Sequence, residues 1–345
     1  MRFRSGLNWA RLLCAALLGA CTPAASNSDR NDASQPAANT GYAWTRLTAA
    51  ADFPKRYNFP VHVLSDGRFA ALHPDGLWLS RNGVDWVKTA GPLSGMTSRY
   101  LPYVYHRNAS WALGSMTGNY LDFTVDPVVR RTDDHQRWQE VGRSPTMPRT
   151  IFSAAASFDG ALWLLGGYDG IRANAQIWRS SDGLAWKQVA ARAPWSARAG
   201  AKAIVFRDRL FIIGGGEVDG VSANDVWSSA DGIDWRREAS SIAPEKPVGY
   251  TPAVFDGRLW LVGANRTGEF TSEMLVSDTG RNWEAVRAPW SPRGAVAAWT
   301  DGAAMFITGG KYSVERNGEQ VFIYSNDVWV MRRPGRGQIR SDEAR

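Results

Sequence analysis

The stretch Ser180-Ser181-Asp182-Gly183-Leu184-Ala185-Trp186 recurs along the chain, and that recurrence restricts the fold more than any other feature. Taken alone it reads as a β-hairpin. Asp182 can hydrogen-bond the backbone of its own turn, Gly183 supplies a positive φ at low cost, and Trp186 opens the returning strand with a large apolar face. The unit returns as Ser229-Ala230-Asp231-Gly232-Ile233-Asp234-Trp235 and as Ser277-Asp278-Thr279-Gly280-Arg281-Asn282-Trp283. Earlier it stands as Ser80-Arg81-Asn82-Gly83-Val84-Asp85-Trp86 and, decayed, as Thr132-Asp133-Asp134-His135-Gln136-Arg137-Trp138. Trp44 opens the series without a turn, so the six tryptophans lie 42, 52, 48, 49 and 48 residues apart.

A fixed period of about 50 residues, built from short strands and turns, is the mark of a β-propeller. Each period opens with a strand of small residues, such as Ala154-Ala155-Ala156 or Ala297-Ala298, as expected where strands crowd a central axis. A bulky apolar strand follows an Asp-Gly-like turn, as in Leu162-Trp163-Leu164-Leu165 or Leu210-Phe211-Ile212-Ile213, and three such strands end in Gly166-Gly167, Gly214-Gly215 and Gly309-Gly310. A third strand, Ile177-Trp178, Val226-Trp227 or Val328-Trp329, leads into the tryptophan hairpin. The last period has no hairpin after Val328-Trp329. The Trp44 strand is therefore expected to supply its fourth strand and close a six-bladed, all-β propeller over residues 42–332, removing an edge that would otherwise aggregate.

The order apolar run, Gly-Gly, loop, Asn-Asp-Val-Trp, turn, Trp resembles the kelch repeat of the galactose-oxidase-type propellers. The hairpin also resembles the Asp-box of sialidase-like propellers, with one residue fewer between Asp and Trp. The likeness is strong in blades three to six and weak in the first two, where His73-Pro74 and Gly114-Ser115 stand at the Gly-Gly place. The resemblance implies a fold that serves binding modules and enzymes alike, among them the sialic-acid mutarotases; it does not by itself assign activity.

The chain opens Met1-Arg2-Phe3-Arg4 and runs apolar through Leu12-Leu13-Cys14-Ala15-Ala16-Leu17-Leu18, an export signal too short to span a membrane. It ends Leu18-Gly19-Ala20-Cys21, which resembles the bacterial lipobox, so residues 1–20 are expected to be cleaved and Cys21 to carry lipid. Thr22 follows at the position of an inner-membrane retention aspartate, and by resemblance the outer membrane is the expected location. Residues 21–41 read as the lipidated cysteine and a flexible tether, and residues 333–345 as a disordered charged tail. With both cysteines so used, no disulfide, thiolate metal site or catalytic cysteine remains. A copper-radical oxidase, which by resemblance needs a cysteine–tyrosine crosslink, is disfavoured. The formal charge of +7 falls to about +4 without the signal, too little and too dispersed to indicate nucleic acid.

In a four-stranded blade the start of the first strand and the loop between strands two and three share one face, and the Asp-Gly hairpins lie on the other. The most regular motif is thus expected to be structural. On the opposite face a basic residue stands at or within about two positions of each first-strand start: Arg56, Arg99, Arg149, Arg198, Lys246 and Arg293. Around a six-fold pseudo-axis these would ring one mouth of the channel and hold carboxylate or phosphate. An alternative is that they bind backbone carbonyls, as kelch arginines do. Tyr168, Tyr250 and Tyr100 and the acids Asp169, Glu217, Asp219 and Glu269 belong to the same face, but nothing in the sequence fixes a pair of carboxylates at glycosidase spacing. His62, His73, His106 and His135 show no ligand spacing, and neither metal nor cofactor is expected.

The reading these features support is a lipid-anchored, monomeric envelope propeller that binds a glycan or other anionic ligand at its mouth. Two alternatives remain: a sugar-active enzyme resembling sialic-acid mutarotase, and a structural scaffold for an envelope protein.

Overall fold

The computed structural model describes residues 41–92, 100–119, 122–216, 222–245, 247–266 and 269–333. The signal, Cys21, the tether and the charged tail lie outside them, apart from Gly41 and Arg333. Six four-stranded antiparallel sheets follow one another in chain order. Blade one is Val61–Val63, Phe69–His73, Gly76–Ser80 and Val87–Ala90. Blade two is Tyr103–His106, Ala109–Asn119, Asp122–Thr132 and Gln139–Arg143. Blades three and four are Ala154–Phe158, Ala161–Tyr168, Ala173–Ser180, Lys187–Ala190 and Lys202–Phe206, Arg209–Gly216, Ser222–Ser229, Trp235–Ala239. Blade five is Thr251–Phe255, Arg258–Val262, Glu273–Ser277 and Glu284–Arg287. Blade six is Ala297–Thr300, Ala304–Thr308, Val328–Arg332 and, from the other end of the chain, Ala43–Thr48. No helix occurs among the described residues. The chain is an all-β, six-bladed propeller.

Each tryptophan hairpin is built by its own side chains. Gly183 N donates to Ser180 Oγ (2.9 Å), and Leu184 N and Ala185 N donate to Asp182 Oδ1 (2.9 and 2.8 Å). Trp186 Nε1 donates to Gly183 O at 2.8 Å. The same bonds recur around Asn82 and Asp231. The backbone amides, chiefly that of Ala185, hold the Asp182 carboxyl below its usual range, so the charged form anchors the turn.

The hairpin glycine has a second reason. An ideal Cβ on Gly232 (φ +78°) would lie 2.2 Å from the Trp163 ring of the preceding blade, and one on Gly183 would lie 2.8 Å from Trp111. The aromatic of the second strand thus wedges under the next blade's turn. Blade one has Ala70 at that ladder place, paired with Leu79 as Trp163 is with Arg179. The turn of blade two carries His135 (φ +55°) where the others have glycine. Small and large have changed sides.

Closure is direct: Ala43–Thr48 pairs antiparallel with Val328–Arg332. Trp44 meets Trp290 edge-on (4.7 Å, 84°), as Trp235 meets Trp195 in blade four (4.6 Å, 88°). Three hairpins rise from the mouth face, where strand two turns into strand three: the long pair in blade two, Ala264–Arg266 with Glu269–Thr271 in blade five, and Lys311–Arg316 with Glu319–Tyr324 in blade six. In blade one the same connection is only the turn at Pro74-Asp75, between the paired His73 and Gly76.

Candidate functional site at the channel mouth

Successive blades are joined at the mouth by backbone hydrogen bonds: Phe152 N to Tyr100 O (2.7 Å), Gly200 N to Phe152 O (2.8 Å), Ala295 N to Gly249 O (2.5 Å) and Asn58 N to Ala295 O (2.8 Å). Asn58, Phe152 and Ala295 adopt positive φ of 56°, 59° and 53° to make them. This belt fixes the register between blades. The residues two positions before its members are Arg56, Thr150, Arg198, Pro247 and Arg293. Arg149 therefore stands one residue off the ring.

Arg198 and Arg293 are built alike, and neither reaches the channel. Arg198, its side chain 0% exposed, donates from Nη1 to Gly214 O (3.0 Å) and to Asp225 Oδ1 (2.6 Å), and from Nη2 to Asp225 Oδ2 (3.3 Å). Arg293 does the same with Gly309 O (3.4 Å) and Asp327 (2.5 and 3.2 Å). The second carboxylate oxygens accept from Trp227 Nε1 and Trp329 Nε1, both at 2.8 Å. Burial pushes Asp225 and Asp327 up, but the guanidinium bonds and charge outweigh it and hold both below the usual range. Each clamp ties the Gly-Gly corner to the Asn-Asp-Val-Trp strand. The expected ring of free cations is corrected on this point: these two arginines are internal fasteners.

The clamp varies blade by blade. Blade three lacks both: Thr150 stands for the arginine, Ser153 Oγ donates to Gly166 O (3.0 Å), and Gln176 Oε1 takes the Trp178 indole (3.0 Å). Blade five has Pro247 with Glu273 at the acidic place. Blade one keeps Arg56 but has Gly76 where Asp225 and Asp327 stand. Arg56 is half-buried and Arg149 exposed, and neither side chain has a hydrogen bond or ion pair among the described residues.

Of the other expected residues, Tyr168 lies on the mouth face, its hydroxyl donating to Gly170 O (2.8 Å) and its ring 6.1 Å from Phe123. Burial, with a contribution from Asp169, raises its pKa. Asp169 Oδ1 is committed to its own loop, accepting from Ile171 N and Arg172 N at 2.8 Å each. Tyr250 is corrected: it is buried, 3% exposed, and its hydroxyl packs at Gly214, where a Cβ would lie 2.1 Å away. Burial drives its pKa up. Arg99, Lys246, Glu217 and Asp219 lie outside the described residues.

Residues that were not singled out from the sequence gather between blades six and one. Tyr57 and Tyr324 stack (5.3 Å, 8°), and Lys311 Nζ lies 4.8 Å from the Tyr57 ring and 4.6 Å from Phe322. The one available signal was Val321-Phe322-Ile323-Tyr324, an apolar run out of phase with the blade period. Among the described residues no group of three or more His, Cys, Asp or Glu could hold a metal.

The fold and this mouth define a closed six-bladed propeller whose variable hairpins surround one end of the channel. No family model matches the chain, and no curated protein sequence matches it either. Among solved structures it is similar to YjhT, with a TM-score of 0.65 over 81% of this chain and 96% of that one, at 12% identity. At that identity the likeness is one of fold.

Proposed function

We propose that this is a kelch-type propeller with Asp-box-like hairpins, lipid-anchored at Cys21 to the bacterial outer membrane, that binds a glycan or other anionic ligand at its mouth. One observation carries the reading: the mouth combines two arginines without described partners, Arg56 and Arg149, with a rim of aromatic rings. Aromatic faces with a few placed polar groups are what a ligand site needs. The arginines locked onto carbonyls, Arg198 and Arg293, serve a scaffold equally well and do not distinguish the readings. Asp169 Oδ1 is committed to its own loop, so that oxygen is not free for the proton transfer a mutarotase requires.

Anchoring is compatible with this use of the mouth. Ala43 pairs with Arg332 at the hairpin end of blade six, so both chain ends leave on the face opposite the mouth. A tether to Cys21 then presents the mouth away from the membrane. Calorimetric titration with acidic saccharides tests the proposal. Arg149→Ala is expected to weaken binding at least about tenfold and Arg107→Ala, on the hairpin face, to leave it unchanged. Absence of binding, or equal loss in both variants, rejects it.

A further inference from the structure

We infer that Arg56 is the carboxylate-binding residue of the mouth, and that a ligand carboxylate takes, in blade one, the place that Asp225 and Asp327 take in blades four and six. The inference rests on the mouth-binding reading and makes it specific.

The belt puts Arg56, Arg198 and Arg293 at one equivalent position. In two of the three blades the guanidinium faces a planar two-oxygen acceptor, Nη1 to Oδ1 and Nη2 to Oδ2. Blade one cannot supply that acceptor from within. Position 76 has φ +148°, and a Cβ there would sit 2.1 Å from Ala90 O, so no acidic side chain fits. The neighbouring Asp75 is already engaged by His73 Nδ1, by Trp78 Nε1 (2.9 Å) and by Lys88 Nζ (3.1 Å). His73 stands at the Gly-Gly corner, where Arg198 binds Gly214 O, and its Nε2 is occupied by Pro54 O at 3.0 Å. Arg56 lies near enough to His73 for its charge to oppose protonation of that ring.

Arg56 is thus a half-buried arginine in a clamp position whose nearest acid, Asp75, is displaced by one residue and engaged by His73, Trp78 and Lys88. A guanidinium fork fits a carboxylate in two parallel bonds, and that is the geometry the sister blades display. On the blade-one side the connection between the second and third strands is only the turn at Pro74-Asp75. Lys311 adds positive charge on the blade-six side, and the Tyr57–Tyr324 pair offers an apolar wall for the body of the ligand.

The test is isothermal titration of the mature protein with N-acetylneuraminate, glucuronate and the methyl ester of glucuronate. A free acid is expected to bind at least about tenfold more tightly than the ester. Arg56→Gln is expected to erase that difference, and Arg56→Lys to restore part of it, with the melting temperature unchanged in both. If the acids bind Arg56→Gln as they bind the parent while Arg149→Ala weakens them, the mouth is the site and Arg56 is not its anion holder. If neither acid binds the parent, this inference and the mouth reading both fall. A melting temperature lowered in Arg56→Gln as much as in Arg198→Gln would show Arg56 to be another internal fastener, and would overturn the inference.

Discussion

At the scale of single residues, one position of register separates an internal arginine from an exposed one. Arg198 and Arg149 look alike in the sequence, each a few residues before a small-residue strand. Only the belt of interblade hydrogen bonds shows that Arg198 shares a place with Thr150 and that Arg149 precedes it. The consequences differ sharply. Arg198→Gln leaves the largely buried Asp225 without its counter-charge, and breaking a buried pair on one side costs about 3–5 kcal/mol. Arg149→Gln changes an exposed side chain and is expected to stay within about 0.5 kcal/mol of the parent. Urea unfolding of the two variants checks both values, and equal midpoints would refute the assignment of Arg198 to the clamp. The repeat, the blade count and the closing strand were legible because period and turn chemistry are local. The burial of Arg198, Arg293 and Tyr250 was not, because it depends on which residue of one blade faces which of the next.

At the scale of elements, the exchange between Ala70 and His135 makes the seam between blades one and two unlike the others. First strands of neighbouring blades pack closely in five pairings, and the pairing of Val61–Val63 with Tyr103–His106 is the exception. Beside an apolar cluster that includes Leu72, Leu79, Tyr103 and Trp138, the seam carries a polar relay: His62 Nδ1 lies 2.7 Å from Ser110 Oγ, which lies 2.9 Å from His135 Nε2. With both imidazoles neutral, one donates to the hydroxyl and the other accepts from it. With both rings protonated, both nitrogens donate, and the hydroxyl proton of fully buried Ser110 loses its acceptor. Burial, then the charge of His135, pushes His62 down to about 3, and burial lowers His135 as well. Because the folded values lie below the unfolded value near 6.5, this stabilisation is complete above pH 6.5 and is lost as pH falls towards 3. His62 alone should cost about 1.4 kcal/mol per pH unit within that window. His62→Asn is therefore expected to remove about one proton from the slope of unfolding free energy against pH between 6 and 4. An unchanged slope would show that His62 titrates normally in the folded protein. The histidines were visible in the sequence as lacking metal spacing; their convergence depends on two blades meeting.

For the whole molecule, closure concentrates on one short strand and one carboxylate. Val328–Arg332 has a partner on each side only because Ala43–Thr48 returns to it across the full length of the chain. Asp256 in blade five holds both ends of that seam, accepting from the Tyr42 hydroxyl (2.8 Å) and pairing with Arg333 (2.6 Å). Tyr42 also lies edge-on to Trp260 (5.3 Å, 83°), filling the place where other blades put the hairpin glycine against the same aromatic position. Removing residues 42–48 takes from Trp290 its nearer aromatic partner, leaving Trp329, and opens the edge of a strand whose Val330 and Met331 are fully buried. An open apolar edge is a template for pairing with a second chain. The deletion is thus expected to lower the melting temperature by well over about 5 °C and to shift the protein into aggregates on size exclusion with light scattering. Asp256→Ala should act in the same direction but weakly, since it breaks two partly exposed bonds and leaves the strand paired. A deleted chain that melts like the parent and stays monomeric would mean that five and three-quarter blades suffice. In that case the return of the N-terminus to blade six would serve something other than stability.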